Sequence, residues 1–109
     1  MKVIILPEVL DYFEDLMEIL YQKEYFGFRE SAHKYVIELV EEIENDLPII
    51  QQKPAPTYFN RFGKNMSYAV FSRNKRTSWY VFFTVHKIGN EKIYLIRYIA
   101  NNHTVAQYL

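Results

Sequence analysis

The chain has no cysteine among its 109 residues. That excludes a disulfide framework and a thiolate metal site, and it suits a reducing compartment. Glycine is scarce, with three residues, and proline has only four. Neither a glycine-rich phosphate loop nor a nucleophile elbow is present. No apolar run approaches the roughly 20 residues needed to span a bilayer. The opening run Met1–Leu6 is cut off by Pro7-Glu8 before it reaches signal-peptide length. A cytoplasmic protein without a membrane partner is the expectation. The histidines, His33, His86 and His103, are far apart and have no acid at ligand spacing. Neither a metal nor a cofactor is expected.

What is present describes a folded domain. Half of the residues are hydrophobic and 17% are aromatic, which is not a disordered composition. The length suits one domain over residues 1–109. The net charge is zero, but the charges are polarised. Residues 1–50 carry four cations and twelve anions, a net of −8. Residues 51–109 carry nine cations and one anion, a net of +8. Two readings stay open: the basic half meets a polyanion, or the two halves neutralise each other on folding.

Val3–Leu6 reads as a short strand. Pro7 suits a first helical position, where its missing N–H costs nothing. Val9, Phe13, Leu16 and Leu20 then form one apolar stripe of a helix, and Gly27 is its natural stop. A second helix has Ala32, Tyr35, Val36, Leu39, Val40 and Ile43 on its apolar face, with Arg29, Glu30, Lys34, Glu38, Glu41 and Glu42 opposite. Asp46-Leu47-Pro48 ends it. Residues 49–57, with Pro54 and Pro56, read as a loop. Strands follow at Tyr58–Phe62, Met66–Ser72, Ser78–Val85 and Ile93–Ile99. The turns are Gly63-Lys64-Asn65, Asn74-Lys75-Arg76 and Gly89-Asn90. Ala100–Leu109 reads as a polar tail with a last helical turn. The expected class is α+β, ordered β-α-α-β-β-β. A helical hairpin packs on an antiparallel sheet in this reading.

Several residues of the basic half can carry chemistry. Alternation along Trp79–Phe83 puts Trp79, Val81 and Phe83 on one face and Tyr80 and Phe82 on the other. The helices can cover only one face, so the other is expected to stay accessible or be covered by a partner. Rings interleaved with cations suit unpaired nucleotides, although strands are aromatic-rich for packing reasons too. Arg97 lies inside the apolar run Ile93–Ile99 and needs a partner. That partner is a helix carboxylate in one reading and a substrate phosphate in the other. His103, in Asn101-Asn102-His103-Thr104, follows the last strand and could move protons near neutral pH. The two asparagines equally suit a turn and a helix cap. His86 reads as an ordinary exposed residue before a hairpin. Tyr108 reads as a frayed end or a tail residue reaching back to the sheet.

The order of strand, two helices, Pro-containing link and basic meander resembles the RelE/ParE superfamily of toxins from type II toxin–antitoxin pairs. The runs Trp79-Tyr80-Val81-Phe82-Phe83 and Tyr94–Ile99, followed by Asn101-Asn102-His103, carry the same resemblance. It covers most of the chain. It implies a translation-inhibiting, metal-independent endoribonuclease that cuts messenger RNA at the ribosome. His103, Arg97 and Tyr108 are then the catalytic candidates, and Arg61, Lys64, Arg73, Arg76 and Trp79 the RNA-binding ones. The expected partners are a cognate antitoxin and the messenger RNA on the ribosome, and a homodimer is the other assembly open to it. Two stretches depart from the family pattern: Tyr68-Ala69-Val70 lacks the usual Tyr-Arg, and Asn101-Asn102-His103 replaces an Arg-rich segment. The alternatives are therefore a ParE-like DNA gyrase inhibitor, or a non-catalytic binding protein of the same fold.

Overall fold

A computed structural model of the chain describes residues 2–22, 29–73 and 77–109, with only the backbone described at Arg29. The expected stop at Gly27 and the turn at Asn74-Lys75-Arg76 lie outside the described residues. Strand β1 is Lys2–Ile5, helix α1 is Pro7–Gln22 and helix α2 is Arg29–Asp46. A two-residue strand β2, Lys53–Pro54, precedes a 3-10 helix over Thr57–Arg61. Then come β3, Ser67–Ser72, β4, Ser78–Ile88, and β5, Glu91–Asn101. The chain closes with a short helix α3, Asn102–Val105, and a 3-10 turn over Ala106–Tyr108. The protein is α+β, with a five-stranded sheet in the order β1-β5-β4-β3-β2.

Both long helices form where the apolar stripes predict. Val9, Phe13 and Leu16 of α1, with Val36, Leu39 and Ile43 of α2, are buried. They cover the first face of the sheet, against Phe71, Trp79, Val81, Phe83, Tyr94 and Ile96. The strands β3, β4 and β5 form the expected antiparallel meander. The sheet is nevertheless mixed, because β1 pairs with β5 in parallel. The two helices carry the chain across to the far edge at β2. The meander then returns until β5 lands beside β1.

The expected strand Tyr58–Phe62 is instead the 3-10 helix. Its aromatics have strand propensity, but Pro56 precedes it with φ −60° and ψ 157°. The tight turn then aims Phe59 at the sheet's second face. Phe59 is fully buried and stacks on Phe82 at 4.3 Å between centroids, a burial worth about 1.5–3 kcal/mol. Val105 of α3 joins the same cluster. So Phe82, expected to be accessible or covered by a partner, is covered by the chain itself. Among the described residues, no helix is long and apolar enough to cross a membrane.

Two irregularities shape this second face. Phe82 pairs with Tyr98, whereas Phe83 pairs with Ile96. Arg97 is therefore the extra residue of a β-bulge on β5, a device that re-aims a side chain. In addition, β3 pairs with β4 only as far as Phe83. Beyond that point β4 and β5 continue to the Gly89-Asn90 turn with β1 still beside Ile93–Leu95, and the ribbon is exposed over Val85–Lys92; Gly89 has φ +61°.

Candidate functional site

β1 covers the edge of β5 only as far as Ile96. Past that point a cleft of about 510 Å³ opens between the start of α1 and the end of β5. Glu8, Tyr12, Phe62, Arg97, Tyr98 and Thr104 are among its lining residues.

Arg97 is the half-buried cation of this cleft. Its Nε–H donates to Thr84 Oγ1 at 3.0 Å, and that oxygen lies 2.9 Å from His86 Nε2. Glu8 lines the same cleft, yet among the described residues no ion pair involves Arg97. The remaining N–H groups of the guanidinium fork are thus left for a ligand. The arginine stem passes close over Gly63: a Cβ there would lie 2.8 Å from Arg97 Cδ, and φ is +156°. Only glycine lets the turn approach the stem so closely.

Two tyrosines accompany it. Burial raises the pKa of the Tyr12 hydroxyl, and Tyr98 adds to the effect. Burial likewise raises Tyr98, with a contribution from Tyr58. Both phenols therefore stay protonated at neutral pH, as hydrogen-bond donors. Phe62 stacks on Tyr98 at 3.8 Å. Nearby, Tyr108 stacks on Tyr58 at 3.7 Å with planes 3° apart. The Arg61 guanidinium lies 4.2 Å from the Tyr58 centroid, and its Nε–H donates to the Tyr58 carbonyl at 3.2 Å. The nearby Tyr58 hydroxyl is the main reason the Tyr108 hydroxyl is raised. Tyr108 thus reaches back to Tyr58, on the 3-10 helix over the second face.

The other candidates are placed as follows. Lys64 is exposed in the Gly63–Asn65 turn, next to the glycine that seats Arg97. Arg73 is engaged by α2: it bonds Glu42 at 2.9 Å, pairs with Glu38 at 3.5 Å and covers the Tyr35 ring. It takes up the neutralising reading of the charge asymmetry, since strand and helix meet there. Trp79 offers no ring face to a base. It is 2% exposed on the first face, with its Nε1–H donated to the Tyr35 hydroxyl at 3.0 Å. Arg76 lies outside the described residues. His103 is exposed on α3 and does not line the cleft. The two asparagines cap and tie: Asn101 Oδ1 accepts from Thr104 N–H at 3.2 Å, and Asn102 Oδ1 from Ser78 N–H at 3.0 Å.

The structure thus brings Arg97, Arg61 and Tyr108 to the second face and leaves Lys64 exposed in the turn beside Gly63. It removes Trp79 and Arg73 and leaves His103 outside the cleft. Tyr12, Tyr58, Thr84 and Tyr98 were not singled out by the sequence, and His86 was passed over. Alternation from Phe82 would have placed Thr84 and His86 on the second face, but no sequence signal marked the bulge that turns Arg97 toward them. Among the described residues, no cluster of histidines and acids could hold a metal ion. The chain matches no protein-family model, no curated protein and no solved structure.

Proposed function

We propose that this chain is a toxin of the RelE/ParE type that inhibits translation by cutting messenger RNA. The observation that carries the reading is Arg97. It is a half-buried cation without a carboxylate partner among the described residues, at a bulge beside two protonated phenols. The element order, a strand and two helices ahead of a basic meander, supports it. In this reading the Nη groups of Arg97 hold the scissile phosphate. They offset the extra negative charge that develops as the ribose 2′-oxygen bonds to phosphorus and the bond to the 5′-oxygen breaks. The Tyr98 and Tyr12 hydroxyls donate to the phosphate oxygens. His103 takes the 2′-hydroxyl proton, and Tyr108 is the remaining candidate for returning one to the 5′-oxygen. A cognate antitoxin is the partner that would cover this face.

The position of His103, outside the cleft, favours a second reading. A cleft lined by no histidine binds rather than cuts in this second reading, as in a gyrase inhibitor or a non-catalytic member of the fold. One experiment separates the two: controlled expression in a bacterium, with growth followed and messenger RNA ends mapped. Growth arrest with new ends in translated messages, both lost in Arg97→Ala, is expected from the nuclease. Arrest with intact messages and damaged DNA would overturn it in favour of gyrase. No arrest at all would reject a toxin.

A further inference from the structure

Two β4 residues that take no part in the proposed cleavage stand in line with Arg97. Thr84 Oγ1 receives the Arg97 Nε–H at 3.0 Å and lies 2.9 Å from His86 Nε2. The guanidinium and the imidazole are no further apart than those two bonds laid end to end. One phosphate group can contact both. The row sits where β4 has left β3 behind, with His86 exposed and Arg97 half-buried. It is an open strip rather than a closed pocket, so it suits a phosphate within a chain. The same sheet face carries the Tyr58–Tyr108 and Phe62–Tyr98 stacks, of which Tyr108 is the exposed ring, and an exposed ring suits an unpaired base.

Hydrogen-bond accounting gives the row a direction. A threonine hydroxyl has one hydrogen and two acceptor positions. Arg97 fills one acceptor position. A His86 imidazole without a proton on Nε2 takes the hydrogen. Once that nitrogen is protonated, its N–H fills the second acceptor position and the threonine hydrogen turns outward. An anion then meets the Arg97 fork, the Thr84 hydroxyl and a cationic imidazole together. Glu91 is the acid on the same face of the ribbon, opposite Ile88 in the next pair, while Lys87 and Lys92 pair on the reverse face. Neither Glu91 nor either lysine forms an ion pair among the described residues.

We propose that Arg97, Thr84 and His86 form a binding row for a phosphodiester of single-stranded RNA, gripped most tightly when His86 is protonated. The proposal rests on the RNA-directed reading and names the phosphate subsite of that face. Its test uses the full chain and a single-stranded, mixed-sequence 2′-O-methyl RNA oligonucleotide, which attack by a 2′-hydroxyl cannot cut. Affinity is followed by fluorescence anisotropy between about pH 5 and 8, the range over which imidazoles change charge. Wild type should bind about tenfold tighter at the acid end, the effect of one charge-assisted hydrogen bond. His86→Gln and Thr84→Val should remove that gain, and Thr84→Ser should keep it. Arg97→Lys should weaken binding at every pH, because an ammonium has no fork. Circular dichroism confirms that each variant is folded. A pH gain that survives both His86→Gln and Thr84→Val, or no oligonucleotide binding by wild type, overturns the row. Loss of the row with growth arrest and message cleavage intact refutes this inference alone. Intact pH-linked binding without growth arrest refutes the toxin reading and leaves the row standing.

Discussion

The two faces of one sheet are finished in opposite ways. The first lies under two long helices, whose side chains interlock with Val81, Phe83, Tyr94 and Ile96. Its polar groups are closed internally: the Trp79 N–H ends on Tyr35, and Arg73 lies between Glu38 and Glu42. The second face is covered by a five-residue 3-10 helix and by the tail. Short segments bury Phe59, Phe82 and Val105 but cannot close the margins. Phenols and one arginine are left at the border between core and solvent. A long helix supplies carboxylates at regular spacing for any cation beneath it. The short segments here supply none within ion-pair reach of Arg97 among the described residues.

Damage to the first face should unfold the protein. Phe83 is fully buried, so Phe83→Ala should cost about 3–5 kcal/mol, read from urea unfolding. A cost under about 1 kcal/mol would mean that the helices do not seal that face. Gly63→Ala tests the second face. The new Cβ meets Arg97 Cδ at 2.8 Å and the backbone has φ +156°, so a loss of about 1–3 kcal/mol is expected. The displaced Arg97 should also lose its oligonucleotide affinity. Unchanged affinity would show that the arginine's placement does not depend on that turn.

A smaller effect separates the two arginines. Arg73→Ala breaks two partly exposed ion pairs and should cost about 0.5–1 kcal/mol. It should leave growth inhibition and RNA binding as they were, in contrast to Arg97→Ala. Equal effects of the two substitutions on binding would abolish the distinction drawn between the faces. The smallest effect appears in alkali. Tyr12 and Tyr98 are raised above 10.0 in the folded state. Above the unfolded value the folded chain therefore holds more protons, and stability falls as pH rises. Below it both states are protonated and these groups add no slope. Stability should be flat through neutrality and decline beyond about pH 10, more gently in Tyr98→Phe. A decline of the same steepness in that variant would remove Tyr98 as a cause.

Much of the architecture was legible in the chain. Pro7, the stripe from Val9 to Leu20 and the face from Ala32 to Ile43 specified both long helices, because their period needs no distant information. The meander followed from Gly89-Asn90 and the alternating strands. Tyr58–Phe62 misled: strand propensity there lost to Pro56 and to the pull of an uncovered sheet face on Phe59. The parallel pairing of β1 was hidden because it joins residues at opposite ends of the chain. Among site residues, the isolation of Arg97 in an apolar strand was visible. Its company of Thr84, Tyr98 and Tyr12 was not, since a bulge leaves no mark in composition.

Two amphipathic helices, a basic aromatic sheet and a polarised distribution of charge were set by local period and residue type. Which cations are used up and which are left depends on the folded arrangement. Arg73 finds Glu42 31 positions away in the chain, because α2 lies beside the end of its strand. Arg97, bulged to the other side of the same sheet, finds a threonine. Charge is written residue by residue, but its neutralisation depends on a distance, and folding sets that distance.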